Sequence, residues 1–148
     1  MNNLFQIALS FRTAIEEAVR AGEIPEMMSF PCGCCGFASE LLQRYLIEEQ
    51  GTFTWYMSGR YGYGWDGESH AWVETMDGTV IDITGDQYKY KKFKFAEPIY
   101  VGPRSAGFHD KFELDKPITY SRNEGPFGQN FDFDRRYDAV MRHLENVN

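Results

Sequence analysis
Residues 69–84 constrain this chain more than any other stretch. Ser69-His70-Ala71-Trp72-Val73-Glu74 and Thr79-Val80-Ile81-Asp82-Ile83-Thr84 read as two strands of a hairpin joined through Asp77-Gly78. Side chains alternate along a strand, so the length of the turn decides which of them share a face. A two-residue turn at Asp77-Gly78 would pair Val73 with Asp82 and point Asp82 away from His70. A three-residue loop, Met76-Asp77-Gly78, lets Gly78 take the left-handed position of a G1 bulge. Thr75 then faces Thr79 and Trp72 faces Asp82. His70, Trp72 and Asp82 share one face, with His70 and Asp82 as diagonal neighbours within side-chain reach. The bulged loop is the expectation. Aspartate disfavours strands, yet Asp82 stands between Ile81 and Ile83, which argues against a plain solvent-facing position. Asp86 is an alternative partner for His70 but lies past Gly85, outside the hairpin. Glu74 lies on the His70 face, one step further along.

The remaining elements follow from hydrophobic period and punctuation. Leu4, Ala8, Phe11, Ile15 and Val19 recur at three- and four-residue spacing and predict a helix over 3–21, stopped at Gly22. Ala38, Leu41, Leu42, Tyr45 and Leu46 form the buried stripe of a second helix over 36–50, with Gly51 beyond its end. Pro25, Pro31 and Gly33 make 23–34 an irregular approach to it. Residues 52–57 read as a strand. Ser58 to Gly67, with four glycines and three aromatics, reads as a mobile loop beside His70 and a candidate lid. A further strand is expected around 99–101, ended by Gly102-Pro103, and a last helix over 134–146 with Val140, Met141 and Leu144 inward. Residues 103–130 are broken by glycine and proline and give no clear pattern. The order of elements predicts one α+β domain over residues 1–148: a helix, a second helix, then antiparallel strands.

The second helix begins directly after an unusual word, Cys32-Gly33-Cys34-Cys35-Gly36. A thiolate is the nucleophilic form of cysteine, and a helix N-terminus favours it through unpaired N–H groups and the helix dipole. Cys35 sits where that field is strongest. Gly33 and Gly36 allow a tight turn and a close approach of substrate, and a backbone N–H there can bind a developing oxyanion. Cys34 is the alternative nucleophile; Cys32 follows Pro31 and lies too far before the helix. Buried cysteines are often mere core fillers, but three within four positions beside Gly and Pro fit that reading poorly. Cys32, Cys34, Cys35 and His70 also supply four nominal zinc ligands, although C-x-C-C departs from the usual spacing of zinc knuckles. With His70 as base and Asp82 holding its ring, Cys35 completes a nucleophile, base and orienter. His109 and His143 read as structural, His143 because it falls in the last turn of a helix, where a cation is favourable.

Composition narrows the classes of function. The formal net charge of −7 argues against general nucleic-acid binding, and no stretch approaches ~18 consecutive apolar residues. The run Lys89-Tyr-Lys-Lys-Phe-Lys94 reads as a solvated face. No basic segment followed by an apolar core opens the chain, and adjacent cysteines rarely pair, so a reducing, cytoplasmic setting is expected. Aromatic residues make up 16% of the chain, which suits a β-rich half with a ring-lined groove.

Cys32-Gly-Cys-Cys35-Gly-Phe-Ala-Ser39 resembles the nucleophile segment of the papain-like cysteine proteases, C-G-S-C-W-A-F-S. His70-Ala-Trp-Val-Glu74 followed by Ile81-Asp-Ile-Thr84 resembles the transglutaminase-like proteins, where an H-A-W-x-E strand leads to a D-x-T strand bearing the acid. The resemblance covers roughly residues 30–85. It implies a papain-like core, a Cys-bearing helix packed on an antiparallel sheet that carries His and then Asp, with Cys35, His70 and Asp82 as catalytic residues and no cofactor or metal. Gly36 stands where the papain-like proteases have an aromatic residue, and no Gln precedes Cys35 at the usual oxyanion position, so that donor must come from backbone or another side chain. The activity implied is hydrolysis of a peptide or isopeptide bond in a peptide or protein substrate, with neither nucleic acid nor membrane as partner. The alternatives are acyl transfer or glutamine deamidation by the same triad, or a zinc-stabilised binding module without turnover.

Overall fold
A computed structural model describes residues 3–62, 68–88, 97–120 and 131–147. Helix α1 (Leu4–Arg20) starts at Asn3, whose side chain accepts a hydrogen bond from the N–H of Gln6 at 3.1 Å. This is the side-chain cap that an amphipathic helix ordinarily uses. Its apolar face, with Ala8, Phe11, Ile15 and Ala18 fully buried, packs against helix α3 (Phe131–Val147). Helix α2 (Cys35–Glu48) carries the predicted stripe but is buried nearly all round, Ser39, Glu40, Gln43 and Arg44 included. It contacts the sheet and both other helices. A helix so enclosed must satisfy its polar side chains internally. Gln43 donates to the carbonyls of Thr54 and Ile118, both at 3.1 Å. Arg44 donates to Asp134 at 2.7 Å and lies over the Tyr137 ring, and Arg136 donates to Glu40 at 3.2 Å.

The sheet is antiparallel, with β1 (Thr54–Tyr61), β2 (Glu68–Thr75), β3 (Val80–Asp82), β4 (Tyr100–Gly102) and β5 (Glu113–Leu114) in the order β4-β3-β2-β1-β5. The β2–β3 hairpin takes the bulged register. Val73 pairs with Ile81 and Glu74 with Val80, which sets Trp72 opposite Asp82. The loop is closed by Thr75 N–H to Thr79 O and Gly78 N–H to Thr75 O, each 3.0 Å, with Gly78 at φ +85°. Asp77 and the two threonines tie the loop further by side-chain hydrogen bonds.

Two expectations are corrected. The segment Ser58–Tyr61, read as the start of a mobile loop, continues β1 and pairs with β2, Gly59 opposite His70. The glycine there serves close approach rather than a turn, since a Cβ on Gly59 would lie 2.8 Å from the carbonyl oxygen of Glu113. The unpatterned stretch after Pro103 supplies β5 and a bridge between Tyr56 and Ile118. The rest of the candidate lid, 63–67, and the lysine run at 89–94 lie outside the described residues.

The sheet separates two cores. On one side Val73, Ile81 and Ile83 join the three helices in an apolar core. On the other, Met57, Trp72, Val80, Tyr88, Phe108 and Phe112 form an aromatic cluster. No helix among the described residues is long and apolar enough to cross a membrane.

Candidate active site
His70 projects from β2 and Asp82 from β3, diagonally placed by the bulged register. His70 Nε2 and Asp82 Oδ2 are 2.7 Å apart, both side chains essentially without solvent exposure. The other ring nitrogen, Nδ1, lies 2.7 Å from Gln87 Nε2, and the Cys35 thiol favours the charged form of the ring. Cys35 opens α2, and His70, the backbone N–H of Ala71 and Gln87 are the groups that favour its thiolate. The structure therefore brings Cys35, His70 and Asp82 into one connected set.

The electrostatics follow from that set. Burial pushes the Cys35 thiol up, but the His70 hydrogen bond and charge, with the Ala71 and Gln87 donors, outweigh it and hold the thiol below its ordinary value. Cys34 differs in direction: burial raises its thiol, and the neighbouring sulfurs add to that. The two adjacent cysteines are thus opposite in character, and Cys32 is exposed. For His70, burial opposes the imidazolium, yet the charge and hydrogen bond of Asp82, then those of Cys35, raise it to about 9. Asp82 is pushed up by burial but held well below the usual carboxylate range by the charge of His70 and by hydrogen bonds from His109 and His70. Two proton arrangements fit the geometry. With a neutral ring, Gln87 Nε2–H donates to Nδ1 and His70 Nε2–H donates to Asp82. With an imidazolium, Nδ1–H donates to the thiolate, and the Gln87 amide turns or yields.

Helix α2 has no side-chain cap: Cys34 occupies the cap position without a capping hydrogen bond, and the first turn holds no acidic residue. The capped start of α1 marks the contrast. Hydroxyl, amide or carboxylate side chains usually satisfy the orphan N–H groups of a first turn; at Cys35 these donors are left for another acceptor. Gly36 keeps the approach narrow but clear, as a Cβ there would meet Tyr56 Oη at 3.3 Å.

Three groups escaped the reading of the sequence. Gln87 comes from the Gly85–Tyr88 turn, which Arg12 of α1 anchors. Arg12 donates to both carboxylate oxygens of Asp86, at 2.7 and 2.8 Å, and to the carbonyl of Ile83 at 3.0 Å. Asp86 is thus engaged by an arginine rather than by His70, because the turn points it toward α1. The signal that could have found Gln87 was its position five residues after Asp82 on the same short connection. Arg104 forms a bidentate pair with Glu74 at 2.7 and 2.9 Å, and Glu74 also accepts from Trp72 Nε1–H at 2.8 Å. His109, read as structural with no specific partner, lies against the same oxygen of Asp82 as His70, also at 2.7 Å. His143 pairs with Glu23 away from the site.

The group of potential metal-ligand atoms that converges among the described residues is His70, Asp82 and His109, within 4.8 Å of one another; no cysteine sulfur belongs to it. Both imidazole nitrogens stand at hydrogen-bond distance from one carboxylate oxygen, so hydrogen bonding accounts for the arrangement in full. Asp82 Oδ1 is satisfied separately by the N–H and hydroxyl of Thr84. Chemically, the assembly can form a thiolate beside an imidazolium whose second nitrogen is fixed by a buried carboxylate. Comparison with protein-family models, with curated proteins and with solved structures finds no match for this chain.

Proposed function
We propose that this protein is a cysteine hydrolase with a papain-like core, cleaving an amide bond of a peptide or protein through a thioester. Cys35 Sγ attacks the carbonyl carbon, and the electron pair of the C=O bond moves to oxygen. The first-turn N–H groups of α2 and the Gln87 amide are the donors within reach of that oxyanion. His70 Nδ1–H protonates the leaving amine as the C–N bond breaks, which leaves an acyl-thioester on Cys35. His70, now neutral, takes a proton from water, the hydroxide attacks the thioester, and the thiolate leaves. Asp82 holds the ring throughout and stabilises its charged form. The observation that carries this reading is the meeting at Cys35 of an uncapped helix N-terminus with an imidazole fixed from behind by a buried carboxylate.

The experiment is alkylation of each cysteine by iodoacetamide across pH, read by peptide mass spectrometry, in wild type and His70→Ala. Cys35 alone is expected to react fast well below pH 8. Loss of His70 should slow it by about tenfold or more at neutral pH, the thiolate lost for one unit of pKa. Uniform rates for Cys32, Cys34 and Cys35 would sink the reading. Acyl transfer and glutamine deamidation share every step to the thioester, and the masses of the products separate them from hydrolysis.

A further inference from the structure
We propose that His109 is a positioning residue for this site: it holds Asp82 and shares its charge, so that His70 keeps a proton it can still give away. The inference rests on the reading of Cys35 and His70 as nucleophile and acid–base group.

The geometry is specific. Asp82 Oδ2 is 2.7 Å from His109 Nε2 and 2.7 Å from His70 Nε2, so one oxygen takes both imidazoles. The His109 ring is fully buried and stacked between Phe108, with centroids 4.4 Å apart, and Tyr100, 5.4 Å away. It also meets the edge of Trp72 at 4.8 Å. Gly107 makes room for it, since a Cβ there would lie 2.8 Å from His109 Nδ1. The turn that carries it, His109–Lys111, follows the Arg104–Ala106 turn, which the Arg104–Glu74 pair fastens to β2.

The proton on His109 is placed by elimination. Nδ1 is buried and has no hydrogen-bond partner. A proton there would be an unpaired buried donor, and Nε2 would then face a carboxylate with its lone pair. The tautomer protonated at Nε2 avoids both. His109 Nε2–H is therefore a donor aimed at Asp82.

The consequence for His70 has a definite sign. A buried carboxylate facing one imidazole gives it the whole charge and holds its proton too firmly for transfer near neutrality. A second donor on the same oxygen withdraws part of that charge. The groups that face His70 are Cys35 from α2, Asp82 from β3, Tyr88 and the uncharged Gln87 from the Gly85–Tyr88 turn, and His109 itself. Those that face His109 are Asp82, His70 and the Tyr100 ring, with the Glu74–Arg104 pair behind Trp72. Arg12 is occupied by Asp86 on the far side of the Gln87 turn. Removing the His109 donor therefore raises the pKa of His70.

The test is nitrogen-15 NMR titration of the histidines, with Cys35 alkylation profiles, in wild type, His109→Phe and His109→Gln. Phenylalanine fills the ring space without a donor, and the glutamine amide N–H can reach the same oxygen. His109→Phe is expected to shift His70 deprotonation upward by about one unit, and His109→Gln to restore it toward wild type. A space-filling role predicts the reverse order, with Phe nearer to wild type. A folded His109→Phe with unshifted His70 overturns the proposal. If His109→Phe does not fold, the wild-type spectrum decides: a proton on Nε2 with a bare Nδ1 upholds it, and a proton on Nδ1 overturns it. Slow alkylation of Cys35 in wild type would instead count against the hydrolase reading, while the His70 titration would still report on His109.

Discussion

The two faces of the sheet are built on opposite terms. The helical face is apolar, with Val73, Ile81 and Ile83 closing on Leu41, Leu42 and their neighbours. Its side chains gain by leaving water, each fully buried one by about 1.5–3 kcal/mol, and many arrangements of similar volume would serve. The other face buries His70, Glu74, Asp82 and His109 among aromatic rings. Each of these polar groups loses hydration, which is recovered only if its partners stand at the right distance. One face therefore supplies stability and tolerates change, whereas the other spends some of that stability on fixed geometry. The Glu74 pair with Arg104, whose arm is half-buried, shows how the second face is fastened at its rim. Trp72 does double duty there, since its ring covers His70 and His109 while its N–H satisfies Glu74.

Substitutions on each face should break this contrast in different ways. The largest effect is expected from Asp82→Ala. It strips two buried imidazoles of their shared acceptor, and should cost about 3–5 kcal/mol in urea unfolding while Cys35 loses its fast alkylation. A cost below about 1 kcal/mol would show that the polar face is not held by charge. Leu41→Ala, in the fully buried core of the helical face, should cost ~2–5 kcal/mol through its cavity but leave the pH profile of Cys35 alkylation in place. A changed profile would mean that the two faces are coupled.

The smallest effect is a pH dependence, and its sign comes from two opposed groups. His70 is raised to about 9 from an ordinary 6.5, so its stabilisation is full below 6.5 and is lost as pH rises through 9. Cys35 is lowered from 9.0, so its stabilisation is full above 9 and is lost as pH falls through its folded value. Where both are charged in the folded protein, above the folded value of Cys35 and between 6.5 and 9, the folded ion pair and the unfolded thiol with neutral imidazole bind the same number of protons. Wild-type stability should be flat across that window. Cys35→Ala removes one member while Asp82 still holds His70 up, so unfolding free energy should then fall as pH rises from 6.5 toward 9. A flat profile in Cys35→Ala would show that His70 is not charged in the folded protein.

Local chemistry made part of this molecule legible in advance. The β2–β3 register was readable because one glycine, Gly78 at φ +85°, and the hydrogen bonds of Thr75, Asp77 and Thr79 fix the turn within five residues. The turn then dictates which side chains share a face, and so places His70 and Asp82 together. The helices were readable because their apolar spacing follows the helical period, although the stripe on α2 did not disclose that the helix is enclosed on all sides. Gly59 shows the limit of such local reading. As a sequence it marks a loop, whereas in the fold it lets the chain at Glu113 come within van der Waals distance of β1.

The sequence by itself determined the turn, the strand faces and the placing of Cys35 at a helix start, all consequences of interactions a few residues apart. Tertiary structure alone decided that Arg12 takes Asp86 and so holds the turn that brings Gln87 to His70 Nδ1, and that His109 returns 27 positions later to the oxygen of Asp82. Those contacts depend on how separate elements close over the sheet. Hydrogen bonds are directional and short, so no pattern of hydrophobic period announces them before the chain has closed.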